Sequence, residues 1–252
     1  MRLRQIALAS GELDAVTGAL HTVFGLKVAY NDPGIHHYGL KNAVLTVGSA
    51  FLEVVQPITE TASAARFLAR RGGDAGYMVI LQAPDAEAER ARVSALGVRV
   101  VDDIDQPGYR AAHFHPADFG GVLVSIDQQR TTTDYLEPEG DWWPAGPDWR
   151  SARAPETIDL TAVTLSSDDP AALGARWSRL LGAPLASDTA LRLPLTRGEV
   201  RFVSGPPGAT LIAAIDVKVA DPAAALNRAR TAGLDVNHAG VGIGGVRFKP
   251  VP

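Results

Sequence analysis

One spacing recurs four times along this chain. Twenty residues separate Gln5 from Gly25 and Ala162 from Gly182; nineteen separate Met78 from Gly97 and Ala214 from Gly233. In each interval a short strand-like run leads into a helical pattern, and the glycine ends it because glycine accepts a left-handed backbone at no steric cost. In the first interval the strand begins at 5–9. Leu13, Val16, Leu20 and Val23 then recur at three- and four-residue steps, which predicts an amphipathic helix over 12–24. Strands are expected at 27–30, 37–47 and 50–55, with Gly48-Ser49 as a turn. The second interval repeats the order: strand 78–81, helix 85–96, then strands 98–101, 111–115 and 122–127, with Gly120-Gly121 as a turn. The third and fourth place helices at 170–181 and 222–231. The alternation 20, 19, 20, 19 implies that a two-unit domain was duplicated whole.

The expected fold is therefore α+β, with four β-α-β-β-β units forming two tandem domains at 1–129 and 157–252. The intervening 130–156 holds Pro138, Pro144, Pro147 and Pro155 and shows no apolar period, so it reads as a linker. It also carries Trp142, Trp143 and Trp149, side chains costly to leave in water. An intramolecular strap, a pocket lid and a dimer contact all suit them. A further helix is expected at 62–71. The glycines of 72–76 end it rather than form a phosphate loop, since no strand leads into them and no helix follows.

Composition excludes several classes of function. A net charge of −4 over 252 residues leaves no basic stripe for phosphates, so nucleic acid is not an expected partner. Without cysteine there are no disulfides, thiolate metal sites or cysteine nucleophiles. No run approaches the roughly 18 apolar residues that span a bilayer, so no membrane partner is expected. The first residues are interrupted by Gly11, Glu12 and Asp14 and do not read as a signal peptide. The expectation is a soluble cytoplasmic protein, monomer or homodimer, acting on a small molecule.

Four stretches carry a family resemblance. They are Arg4-Gln5-Ile6-Ala7-Leu8 with Phe24-Gly25-Leu26, then Phe51-Leu52-Glu53-Val54-Val55-Gln56-Pro57, Ala95-Leu96-Gly97-Val98, and His115-Pro116-Ala117-Asp118-Phe119-Gly120-Gly121-Val122-Leu123. The chain resembles the vicinal-oxygen-chelate superfamily of glyoxalases, extradiol dioxygenases, epimerases and bleomycin-resistance proteins. The resemblance implies domains in which two units form a cup of antiparallel strands, helices outside, around a divalent metal. Its ligands come from the first and last strand of each unit. Carried over, those positions are Gln5 and Glu53, then Met78 (Tyr77 if the register slips by one) and Ser125. The second half offers Ala162, Phe202, Ala214 and Lys249, so it reads as structural.

Only two of the four positions in the first half carry hard ligands. A catalytic Zn, Mn, Fe, Ni or Mg site wants about three or four N/O donors. His113, His115 and Asp127 could complete Gln5 and Glu53, since strand alternation puts both histidines on one face and Asp127 beside Ser125. Glu53 stands out within an apolar strand, where a carboxylate must be paired, metal-bound or protonated. The alternative is an edge strand with Glu53 facing water. In the cup, Glu53 is base or ligand and Gln5 polariser or ligand. His113 or His37 serves as proton carrier, and Tyr77, Met78, Gln82 and Ser125 contact substrate. Two readings follow. One is an isomerase-, lyase- or epimerase-like enzyme acting on a small molecule with adjacent oxygens. The other is a metal-free binding protein of the bleomycin-resistance kind.

Overall fold

The computed structural model describes residues 1–188 and 190–252. The first repeat runs β1 (Arg2–Ala9), α1 (Leu13–Phe24), β2 (Val28–Tyr30), β3 (Leu40–Val47) and β4 (Ala50–Pro57). Helix α2 (Ser63–Arg71) connects it to the second repeat. That repeat comprises β5 (Ala75–Gln82), α3 (Ala86–Ala95), β6 (Val100–Gln106), β7 (Tyr109–Phe114) and β8 (Leu123–Gln129). The third comprises β9 (Thr157–Ser167), α4 (Pro170–Leu181), β10 (Arg192–Pro194) and β11 (Glu199–Ser204). The fourth comprises β12 (Leu211–Val219), α5 (Pro222–Thr231), β13 (Val236–Asn237), β14 (Gly240–Ile243) and β15 (Val246–Val251). In the third repeat one strand is reduced, among the described residues, to a single bridge between Ala186 and Arg192.

The strands form two sheets, ordered β2-β3-β4-β1-β5-β8-β7-β6 and β10-β11-β9-β12-β15-β14-β13. The expected antiparallel pairs are present in each half, and each repeat also closes on a parallel pair. β1 runs parallel to β4, β5 to β8, β9 to β11 and β12 to β15. The helix after each first strand returns the chain to its starting end, so the next strand runs the same way. Two further hairpin reversals bring the last strand back parallel to the first.

By close packing the chain divides differently, into two compact units. One gathers Met1–Arg4, Met78–Trp143 and Thr161–Ala213; the other gathers Gln5–Tyr77, Pro144–Leu160 and Ala214–Pro252. Each thus joins one twelve-residue helix to one ten-residue helix. In the unit containing Glu53, α1 buries Leu13, Val16, Leu20, Val23 and Phe24, and Phe24 meets Phe248 with ring centroids 5.9 Å apart. Gly25 closes α1 at φ 69°. In the other unit Trp177 of α4 lies edge-on to Phe119 at 5.4 Å and donates its indole N–H to the Phe119 carbonyl at 2.9 Å. Asp85, Asp169 and Asp221 cap α3, α4 and α5, each accepting a backbone N–H three residues on.

The linker packs onto the structure as a strap. Trp142 and Trp149 are fully buried, and Trp143 is 54% exposed. Trp142 stands edge-on to Tyr109 at 5.8 Å with the Arg4 guanidinium over its ring. In the other unit Trp149 stands edge-on to Phe51 at 5.2 Å, flanked by the guanidinium groups of Arg150 and Arg153. The Gly48-Ser49 turn meets this strap through the Gly48 carbonyl, which accepts from Arg153 Nε at 3.1 Å, and meets β9 beyond it. Gly48 has φ 61°, and a side chain there would run into the Ile158 carbonyl. No helix among the described residues is long and apolar enough to cross a membrane.

Candidate functional site

β4 is an interior strand, lying between β3 and β1, and Glu53 is 9% exposed. The edge-strand alternative therefore falls. In the register, Ala7 and Val44 lie opposite Glu53, Gln5 opposite Phe51, and Asn42 opposite Val55. Paired residues share a face and alternate residues return to it. Gln5, Asn42 and Glu53 therefore converge from three adjacent strands. Gln5 Nε2 donates to Glu53 Oε2 at 2.9 Å, and Asn42 Nδ2 donates to Oε1 at 2.7 Å.

Glu53 has these two amide donors and makes no ion pair among the described residues. Burial pushes its pKa above the usual carboxylate value; the two hydrogen bonds pull it back, and the Asp32 charge adds to the rise. Tyr77 of β5 stands edge-on to Phe67 at 5.0 Å. Burial raises its phenol pKa, Arg66 and Arg70 oppose this, and the Glu53 charge reinforces it. Tyr77 and Phe67 join an apolar wall with Ala9, Leu40 and Val55.

The second repeat brings together a different group. Ser125 and Tyr109 each donate a hydroxyl hydrogen bond to the Asp127 carboxylate, which is 1% exposed. Burial raises the Asp127 pKa to about 7 against the opposing pull of these bonds. Gln82 lies opposite Asp127 in the register, and its carbonyl oxygen is buried and has no hydrogen bond among the described residues. Met78 is buried in the same strand opposite Leu123. His113 lies opposite Ser125, half-buried, with Nδ1 3.7 Å from Asp102 Oδ2. Burial lowers its pKa and Asp102 opposes the fall.

Two histidines fall elsewhere. The expected strand at 37–47 begins only at Leu40. Pro33–Tyr38 is a 3₁₀ helix, because Asp32 accepts the Gly34 N–H and Pro33 presets the turn. His37 is exposed there, its ring against Tyr38. β7 ends at Phe114, so His115 does not share the His113 strand face; its Nδ1 accepts the Ala117 N–H at 3.2 Å. In the third repeat the register puts Arg201, not Phe202, opposite Thr164, the place Glu53 holds opposite Ala7. Asn42 and Tyr109 escaped the sequence reading. Asn42 carries the same signal as Glu53, a polar residue inside an apolar strand, and lies within the expected strand 37–47.

These side chains do not fit a divalent metal. Asn42 Oδ1 accepts the Asp32 backbone N–H at 2.8 Å, which turns its NH₂ toward Glu53. Gln5, Asn42 and Glu53 thus offer one carboxylate whose neighbours present amide hydrogens, short of the three or four N/O donors such a cation wants. Among the described residues no three His, Cys, Asp or Glu side chains come together to hold a cation.

The family model for the glyoxalase-like domain matches residues 6–181. The chain belongs to the glyoxalase-like domain family. Among curated relatives, mitochondrial methylmalonyl-CoA epimerase of Bos taurus is 22% identical over 130 residues, covering 50% of this chain and 74% of that protein. The human enzyme is likewise 22% identical, with 73% of its length covered. Among solved structures, the Mn(II)-bound glyoxalase of Novosphingobium aromaticivorans superposes over 93% of this chain and 72% of its own, with a TM-score of 0.63 at 14% identity. The Mycobacterium tuberculosis methylmalonyl-CoA epimerase is 25% identical over 51% of this chain and 87% of its own, with a TM-score of 0.46. The chain thus has the glyoxalase-like fold that its family match implies.

Proposed function

We propose that this glyoxalase-like protein is an epimerase- or isomerase-type enzyme in which Glu53 removes a proton from a carbon next to a carbonyl. One observation carries the reading: a buried carboxylate held, among the described residues, by two neutral amides, Gln5 and Asn42, and by no cation. Such a group keeps lone pairs free, and burial raises its proton affinity above that of an exposed carboxylate. The amides cannot take the proton from it. Tyr77, kept protonated, supplies a hydroxyl near the Glu53 charge. The curated relatives are methylmalonyl-CoA epimerases, so a short branched acyl thioester bearing a second carboxyl is the substrate class to test first.

The test is proton exchange. Incubated with methylmalonyl-CoA in D₂O, the protein should wash deuterium into the α-carbon, followed by proton NMR. Glu53→Gln should slow this by about 10²-fold or more. Equal exchange in both proteins would remove Glu53 as the base. The second reading, a sequestering protein, draws on the apolar wall of Ala9, Leu40, Val55, Phe67 and Tyr77 beside Glu53. It predicts ligand binding with no exchange.

A further inference from the structure

We infer that Asn42 is the positioning residue of Glu53: its carboxamide, locked by the Asp32 backbone N–H, holds Glu53 Oε1 so that the carboxylate presents its remaining lone pairs in one fixed direction. This rests on the reading of Glu53 as the base. Asn42 Oδ1 accepts from Asp32 N at 2.8 Å, a bond only the oxygen end can make. The nitrogen end therefore has one orientation and lies 2.7 Å from Glu53 Oε1. The Asn42 backbone is tied as well, its carbonyl accepting from Asn31 Nδ2 at 2.6 Å. A side chain fixed at both ends loses little entropy when it holds another group, which is how a supporting residue makes a reacting one rigid. Asn42 is itself 5% exposed, yet it lines a cleft of about 400 Å³ with Asp32, His36 and Lys41. The clamp thus borders solvent at one edge.

The consequence is electrostatic as well as geometric. An amide N–H stabilises the ionised carboxylate, so the Asn42 bond lowers the Glu53 pKa against burial. The other titratable and charged groups bearing on this pair are Asp32 before the 3₁₀ helix, Tyr77 on β5, and Arg66 and Arg70 of α2 acting on Tyr77. None of them donates a hydrogen bond to Glu53.

The experiment is a carboxyl ¹³C NMR titration of the full chain, with the Glu53 signal assigned by its loss in Glu53→Gln. Two variants are compared with the wild type. Asn42→Leu removes the clamp. Asn42→Ala removes the same donor without adding bulk or charge beside Glu53, and so gives a second variant in which the bond is lost. In both, the Glu53 midpoint should rise by about one pH unit or more, a tenfold change in proton affinity. A midpoint within about 0.2 unit of wild type in a folded Asn42→Ala or Asn42→Leu overturns the inference. Where exchange activity is found, its acid limb should move up with the NMR midpoint, which a merely structural residue would not cause. Failure of the base reading shows separately, as retained exchange in Glu53→Gln, and leaves the titration result standing.

Discussion

Arg228 holds the carbonyl oxygen of Val23, donating from Nε at 2.9 Å and Nη2 at 2.7 Å. In the other compact unit Arg92 Nη2 holds the Leu180 carbonyl at 2.8 Å. Both arginines precede a helix-ending glycine by five residues, Gly233 and Gly97. Both carbonyls precede one by two, Gly25 and Gly182. The same cap is built twice, in each case between a ten-residue helix and the end of a twelve-residue one. It satisfies a carbonyl that the end of α1 or α4 leaves orphaned. Arg228→Ala and Arg92→Ala should each cost about 1–3 kcal/mol. The double variant should be additive within about 0.5 kcal/mol, because the two caps share no partner. Urea unfolding of the three variants checks both statements.

The strap makes a sharp contrast between neighbouring tryptophans. Trp149 is wholly buried on Phe51, so Trp149→Ala should cost about 3–5 kcal/mol. Trp143 is 54% exposed, and Trp143→Ala should change stability by no more than about 0.5 kcal/mol. Thermal unfolding midpoints of the two variants decide it. Equal losses would mean that 130–156 does not pack as described.

Asp127 sets a pH dependence of stability. Its folded pKa of about 7 lies well above that of an ordinary aspartate, so the folded state binds the extra proton in between. Stability is therefore greatest below the unfolded pKa and falls as pH rises toward 7. The loss is on the order of 1.4 kcal/mol for each unit between the two values. Asp127→Asn should flatten this slope in urea midpoints measured from pH 4.5 to 8. An unchanged slope would mean that Asp127 ionises normally in the folded chain.

Tyr109→Phe removes one of the two hydroxyl donors to Asp127, and Ser125→Ala removes the other. Each bond favours the carboxylate, so each variant should raise the Asp127 pKa further, read by the same carboxyl NMR titration. A lowered pKa in either variant would mean that the hydroxyl instead stabilises the neutral acid.

Much of this was legible in the sequence. The 20, 19 spacing and the helix-ending glycines gave the repeat order and the two sheets, because local backbone preference and a 3.6-residue apolar period act within a few residues. Glu53 announced itself as a charge in an apolar strand, and Gln5 came with it from the family positions. The sequence left open which polar neighbours those residues meet. Asn42, eleven residues away, became a partner of Glu53 only through the β3–β4 register and the Asp32 turn. Gln5 reached the same carboxylate through parallel pairing of strands 48 residues apart in the chain. His113, His115 and Asp127 looked like one ligand group by alternation. The end of β7 at Phe114 separated His115, and Asp127 took Tyr109 and Ser125 instead. The sequence alone determined the repeated elements and the presence of a buried acid. The tertiary structure decided what surrounds that acid, because desolvation and hydrogen bonding depend on neighbours that only sheet register brings within reach.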